Sequence, residues 1–222
     1  MTQLKCNLTI SLDGYLAGPN QSVENPLGVG GMRLHDWAFA LAAFRTTHGM
    51  EGGEVNASTQ IIEESIANVG AVIMGRNMFG GYPGPWRSDP PWTGWWGDNP
   101  PYHAPVFVLT HHPREPLVMQ GGTTFSFVTD GIESALAKAR AVAGSRDIVV
   151  SGGAHTAQQY LAAGLLDEVN ISVVPLFLKA GERLFDHLGA ADLRLEQVRV
   201  VAAPGVTHIK YRVGLREVDG AP

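Results

Sequence analysis

Leu4, Cys6, Leu8, Ile10 and Leu12 alternate with Lys5, Asn7, Thr9 and Ser11. That period of two predicts a strand with one buried face, ending at Asp13-Gly14. After a loop-like stretch from Gly18 to Gly31, the pattern turns helical between Leu34 and Phe44. A second helix is predicted over Asn56–Val69, where Ile62, Ile66 and Val69 fall at i, i+4 and i+7. Val69–Met74 is a short unbroken apolar run closed by Gly75-Arg76, as expected of a strand buried on both faces.

The segment from Tyr82 to His103 differs in kind. It holds six prolines, three glycines and four of the five tryptophans, so a long ordered loop is expected. Pro105–Thr110 and Thr124–Val128 resume the strands. Asp130 with Glu133 resembles a capping box ahead of a helix carrying Ile132, Leu136, Ala139 and Ala143. Asp147–Ser151 reads as a further buried strand, running through Gly152-Gly153 into a helix that Gly164 stops, and Val169–Leu178 as another strand. Leu193–Val201 and Thr207–Leu215 form a hairpin turned at Pro204-Gly205, in which Ile209, Tyr211 and Val213 alternate with His208, Lys210 and Arg212.

Strands alternating with helices imply right-handed crossovers and a mostly parallel sheet, to which the terminal hairpin adds an antiparallel edge. The expectation is one α/β domain over residues 1–222, a three-layer α/β/α sandwich with ligands at the carboxyl ends of the strands. No repeat or low-complexity tail interrupts it.

Composition narrows the function classes. With 45% hydrophobic residues the chain can bury a core, and a formal charge of -5 leaves no basic excess for nucleic acid. No apolar stretch approaches a membrane span, and no charged start leads into an apolar run, so a cytoplasmic protein without membrane contact is expected. The single cysteine, Cys6, cannot form an internal disulfide. Asn7-Leu8-Thr9 and Asn170-Ile171-Ser172 match the glycosylation sequon but lie in expected strands.

If the parallel strands share a carboxyl edge, three turns meet there: Gly75-Arg76-Asn77, Thr110-His111-His112 and Ser151-Gly152-Gly153-Ala154. In the last, two glycines precede a helix whose free N–H groups suit a pyrophosphate, although a tight strand-to-helix turn asks for the same residues. Arg76, His111, His112 and Arg114 supply positive charge, with the forked guanidinium suited to phosphate. Adjacent histidines in an extended segment point opposite ways and no other ligand stands at metal spacing, so no metal is expected. Gly28-Val29-Gly30-Gly31 follows no strand and opens no helix directly, so it is not read as a dinucleotide fingerprint.

These segments together resemble the dihydrofolate reductase superfamily, in particular its RibD C-terminal domain family, as a free-standing member. Ile10-Ser11-Leu12-Asp13-Gly14 is similar to that family's first-strand motif, Val72–Asn77 to its Gly-Arg turn and Ser151-Gly152-Gly153 to its pyrophosphate turn. Leu165-Leu166-Asp167-Glu168, Pro175 and Gly181–Phe185 resemble its closing signature. The resemblance implies a homodimeric NADPH-dependent reductase of a small heterocycle, with 5-amino-6-(5-phosphoribosylamino)uracil as the riboflavin-pathway reference substrate. It would place the nicotinamide near Leu16, Ala17 and Gly18, the pyrophosphate at Gly152–Thr156, including Ala154 and His155, and the 2′-phosphate near Arg76 and Thr110–His112, with Gly75, Asn77 and Ser151 also binding the cofactor.

The resemblance also marks two carboxylates. Asp36 stands where dihydrofolate reductases place an acid on their first helix; desolvation there would raise its pKa, or it is an ordinary first-turn acid. Asp13 either contacts substrate or makes the turn before Gly14. Dihydrofolate reduction proper and NADPH sensing without turnover are the alternative functions.

Overall fold

The computed structural model describes residues 2–189 and 192–215. The remainder of the expected 1–222 domain lies outside the described residues. In chain order the strands are β1 Leu4–Ser11, β2 Tyr15–Ala17, β3 Val69–Gly75, β4 Pro105–Leu109, β5 Leu117–Val118, β6 Thr124–Val128, β7 Asp147–Gly152, β8 Glu168–Val174, β9 Glu182–Arg183, β10 Leu193–Ala203 and β11 Val206–Leu215. The helices are α1 Asp36–Phe39, α2 Ala42–Thr47, α3 Thr59–Ile66, α4 Arg76–Phe79, α5 Ile132–Ala143 and α6 Ala154–Ala162.

Nine strands form the main sheet in the order β10-β11-β8-β1-β7-β3-β4-β6-β5. Its centre is parallel, and β11 returns antiparallel beside β8 with β10 outside it, as the hairpin pattern predicts. The period-two pattern of β1 explains the layers. Leu4, Cys6, Leu8 and Ile10 pack with Ala135, Leu136, Ala157 and Tyr160 under α5 and α6. On the opposite face Val72, Met74 and Phe79 pack with Trp86, Trp92 and Trp96. That is the expected three-layer α/β/α fold. No helix among the described residues is long and apolar enough to cross a membrane.

Several elements depart from the pattern. The stretch from Leu34 to Phe44 is not one helix: a 3-10 turn at Gly31–His35 leads into α1, and α2 starts only after an extended Leu41. Leu41 is tied by a bridge to Glu54, and this tertiary contact overrides the periodic apolar pattern. The strand expected to reach Leu178 stops at Val174, just before Pro175. At α5 the capping box does not form: Gly131 is the N-cap at φ 95, and the Asp130 carboxylate accepts from the Ser134 hydroxyl at 2.8 Å. The two-stranded β2–β9 sheet and the short β5 carry no period of their own.

The loop from Tyr82 to His103 is ordered by its own indoles. Trp95 Nε1 donates to the Met78 carbonyl and Trp92 Nε1 to the Phe79 carbonyl, each at 2.9 Å, so the loop satisfies the end of the four-residue α4. Trp86 Nε1 donates to the His112 carbonyl at 2.8 Å, stitching the same loop to the end of β4.

Candidate functional site

A cavity of about 1920 Å³ runs along the carboxyl ends of the parallel strands and down the side of the sheet facing α3. Single-ligand pockets span roughly 300–1,000 Å³, so this space can take a dinucleotide and a second molecule together. It forms where β1, β3, β4 and β7 end at one rim. At that rim lie Arg76 and Asn77 after β3, Thr110, His111 and His112 after β4, and Ser151, Gly152 and Gly153 closing β7. Ala154, His155 and Thr156 at the start of α6 line it too, as do Leu16 and Ala17 of β2.

Gly18 and Gly75 stand behind this lining. A Cβ at Gly75 would strike the Thr156 hydroxyl, so glycine lets β3 and the start of α6 close up. A Cβ at Gly18 would strike the Val29 backbone, and Gly28, at φ +68, packs against the Gly18 carbonyl. The glycines at 28–31 therefore serve loop packing behind β2.

Two guanidiniums at or beside the rim meet no carboxylate among the described residues, while Glu182 faces His155 at 3.5 Å on the α6 side. Arg76 lies 3.2 Å above the Trp86 ring centroid and donates through Nη2 to the Tyr82 carbonyl at 2.7 Å. Its Nη1 is buried and has no partner. Burial, then the adjacent Arg114, lowers the Arg76 pKa to about 10, so it stays charged at neutral pH. Arg114 is held by the Trp92 carbonyl and the Trp86 face, with burial lowering its pKa too. Aromatic faces and carbonyls hold both guanidiniums in place without cancelling their charge. Beside Arg76, the first amides of α6 have no helical carbonyl to satisfy and add the positive end of a helix dipole. Unpaired donors beside a glycine cradle fit a polyphosphate.

The two carboxylates singled out from the sequence lie elsewhere. Asp36 is exposed and does not line the cavity. The reason is the broken helix: the short α1 turns His35 and Trp37, not Asp36, toward the interior. Asp13 also lies off the cavity. Its Oδ1 accepts from the Ser11 hydroxyl at 2.6 Å and its Oδ2 from the Lys179 amide at 2.8 Å, which makes it a staple between two loops. Desolvation acts to raise its pKa, but these bonds and one from the Leu178 amide prevail and lower it.

The sequence did not single out His208. It is buried, with Nδ1 2.8 Å from the Ser172 hydroxyl and Nε2 2.8 Å from the Ser58 hydroxyl. Burial, then the charge of Arg199, pushes it down to about 4, so it is neutral at physiological pH. Burial likewise depresses His35, against the pull of Asp36. Cys6 is fully buried and pushed up to about 12, which excludes it as a thiolate nucleophile. No group of metal-ligating side chains is present among the described residues. Asn170 donates to Asn7 at 2.8 Å, so both sequon asparagines are engaged within the sheet.

A mostly parallel sheet of this order, with its ligand rim at the strand ends, defines a dihydrofolate-reductase-like α/β protein. The chain belongs to the RibD C-terminal domain family, whose sequence model matches residues 2–209. Among solved structures, a protein from Shewanella sp. PV-4 assigned to riboflavin biosynthesis superposes with a TM-score of 0.61 at 22% identity, covering 96% of this chain and 99% of the other. RibD of Acinetobacter baumannii gives 0.56 at 18% identity over 96% of this chain, which spans only 58% of that longer protein. Dihydrofolate reductase from Enterococcus faecalis, solved with NADP(H) and RAB-propyl, gives 0.50 at 12% identity, covering 95% of this chain and 96% of the other. No curated protein matches the chain in sequence.

Proposed function

We propose that the protein is an NADPH-dependent reductase acting on a small planar heterocycle, of the general type found in riboflavin biosynthesis. The observation that carries this reading is Arg76, which lines the rim beside the start of α6 and, like the neighbouring Arg114, pairs with no carboxylate among the described residues. NADPH fits that arrangement: Arg76 with Arg114 would hold the 2′-phosphate, and Gly152 to Thr156 the pyrophosphate. Leu16 and Ala17 would border the nicotinamide. When bound, NADPH supplies a hydride.

The chain's own residues then act mainly by orientation, which can contribute several kcal/mol by fixing two reactants face to face. At the far end the buried Nδ1 of His35 has no partner and would hydrogen-bond a substrate, whereas both nitrogens of neutral His208 are taken by Ser58 and Ser172. The test is titration with NADPH and NADH, followed by tryptophan fluorescence, then NADPH oxidation across a panel of pyrimidines and pteridines. Tight NADPH binding with turnover of one panel member is expected. Silence toward both nucleotides would refute the reading, and binding without any turnover would favour a sensor.

A further inference from the structure

Away from the cofactor rim the α1–α2 segment lines the cavity with a run of rings. His35 stacks on Phe39 at 6.0 Å, Phe39 meets Phe44 edge-on at 5.3 Å, and Phe44 stacks on His48 at 4.1 Å. All four face the cavity wall, together with Trp37 and Arg45. Such faces and edges suit a flat ring.

Polar groups stand at both ends of this run. At its start, Nδ1 of His35 and Nε1 of Trp37 are buried without a hydrogen-bond partner. An indole N–H can only donate, so the group that satisfies Trp37 is an acceptor such as a ring carbonyl. Burial keeps His35 neutral, and its Nδ1 can meet either a donor or an acceptor on the same ring edge.

At the other end, Arg45 and His48 stand at i and i+3 where α2 closes, a spacing that sets two side chains side by side. Arg45 is anchored through Nε to the Glu51 carbonyl at 2.9 Å and pairs with no carboxylate among the described residues. Its terminal nitrogens keep their charge and their forked geometry for a ligand. His48 Nδ1 lies 2.9 Å from the Phe44 carbonyl, which can only accept, so the proton sits there and Nε2 is left over. The cations along the sheet differ: Lys5 is 2.7 Å from Asp147, Lys210 is 3.1 Å from Glu168 and Arg199 is 2.6 Å from Glu64. An anion entering beside those three would meet a carboxylate, whereas at Arg45 it meets an uncompensated charge.

Resting on the reductase reading above, we propose that the α1–α2 segment reads the substrate from both ends: Trp37 and His35 take the polar edge of its ring, and Arg45 with His48 holds a phosphate monoester carried on the same molecule. Arg45 is the specificity-determining residue in this scheme. Two phosphate oxygens meet its fork, and Nε2 of His48 meets a third oxygen, accepting from it when that oxygen is protonated. The rings of Phe39 and Phe44 bridge the two polar ends.

The experiment uses the full chain and matched ligands: a pyrimidinedione or pteridinone nucleoside and its 5′-phosphate, each titrated calorimetrically into the protein with and without saturating NADPH. The 5′-phosphate is expected to bind at least tenfold more tightly than the nucleoside. In Arg45→Ala that preference should fall to within about twofold, through weaker binding of the phosphate, while Arg45→Lys, which keeps the charge but loses the fork, should retain part of it. Trp37→Phe, which keeps an aromatic ring but removes the N–H, should weaken both members about tenfold and leave their ratio unchanged. Equal binding of the two members, failure of every pair to bind, preference intact in Arg45→Ala, or a Trp37→Phe variant that binds both members normally would each overturn the proposal. The two readings fail separately: a protein that ignores NADPH yet shows the Arg45-dependent preference loses the reductase reading alone, and one that binds NADPH without that preference loses the present inference alone.

Discussion

The rim and the sheet wall of the cavity handle charge in opposite ways. At the strand-end rim, Arg76 and Arg114 lean on Trp86 and on backbone carbonyls and keep their full positive charge. Along the sheet, Lys5, Lys210 and Arg199 are each neutralised by a carboxylate, and the histidine among them is held uncharged. Basic side chains by themselves therefore do not make an anion site. What counts is whether the groups that immobilise them leave their charge available, as aromatic faces do and carboxylates do not.

The largest effect should come from forcing charge into the neutral wall. His208 goes from an ordinary 6.5 to about 4 on folding, so between those values the unfolded chain binds a proton the native state refuses. Stability is then full above pH 6.5 and falls as the pH drops toward 4, by at most about 3 kcal/mol. Urea unfolding at several pH values should show this slope, and His208→Gln should flatten it. His35, depressed by burial, contributes in the same direction.

At the charged end, Arg76→Ala should raise the NADPH Kd by about 100-fold, on the order of 2.7 kcal/mol, with NADH changed only a few-fold. Comparable losses for both nucleotides would show that Arg76 holds the rim together rather than binding a phosphate. Blurring the contrast from the other side, Glu168→Gln releases Lys210 and should improve kcat/KM for a 5′-phosphorylated heterocycle by about tenfold, as charge-assisted hydrogen bonds contribute roughly 1.5–3 kcal/mol. Smallest of all, Asp36→Asn should alter kcat less than about twofold, since an exposed side chain off the cavity has little to offer a transition state.

The sheet was legible because its periods are local. β6 and the β10–β11 hairpin follow from alternation and turn residues, and Gly152-Gly153 announced a strand-to-helix turn. The site was legible in part. Its rim residues sit at strand ends, where alternating β and α elements bring ligand positions together. Asp36 was marked by resemblance, and the single helix that the apolar period suggested around it is broken at Leu41, whose extended backbone depends on Glu54, a contact no local pattern encodes. The Ser58–His208–Ser172 chain was hidden for a similar reason. In sequence His208 is one polar position of an edge hairpin, and only the pairing of β11 with β8 sets it beside Ser172. The alternation of His208 with Ile209 could have placed it on the polar face, but not its partners.

The tryptophan loop leaves one more consequence. The short helix that starts with Arg76 ends on carbonyls clasped by Trp92 and Trp95, while Trp86 underlies the guanidinium itself. The proposed grip on a cofactor's extra phosphate would thus borrow its rigidity from a segment with almost no regular structure. Lengthening or trimming that segment can retune nucleotide choice while every strand of the scaffold stays as it is.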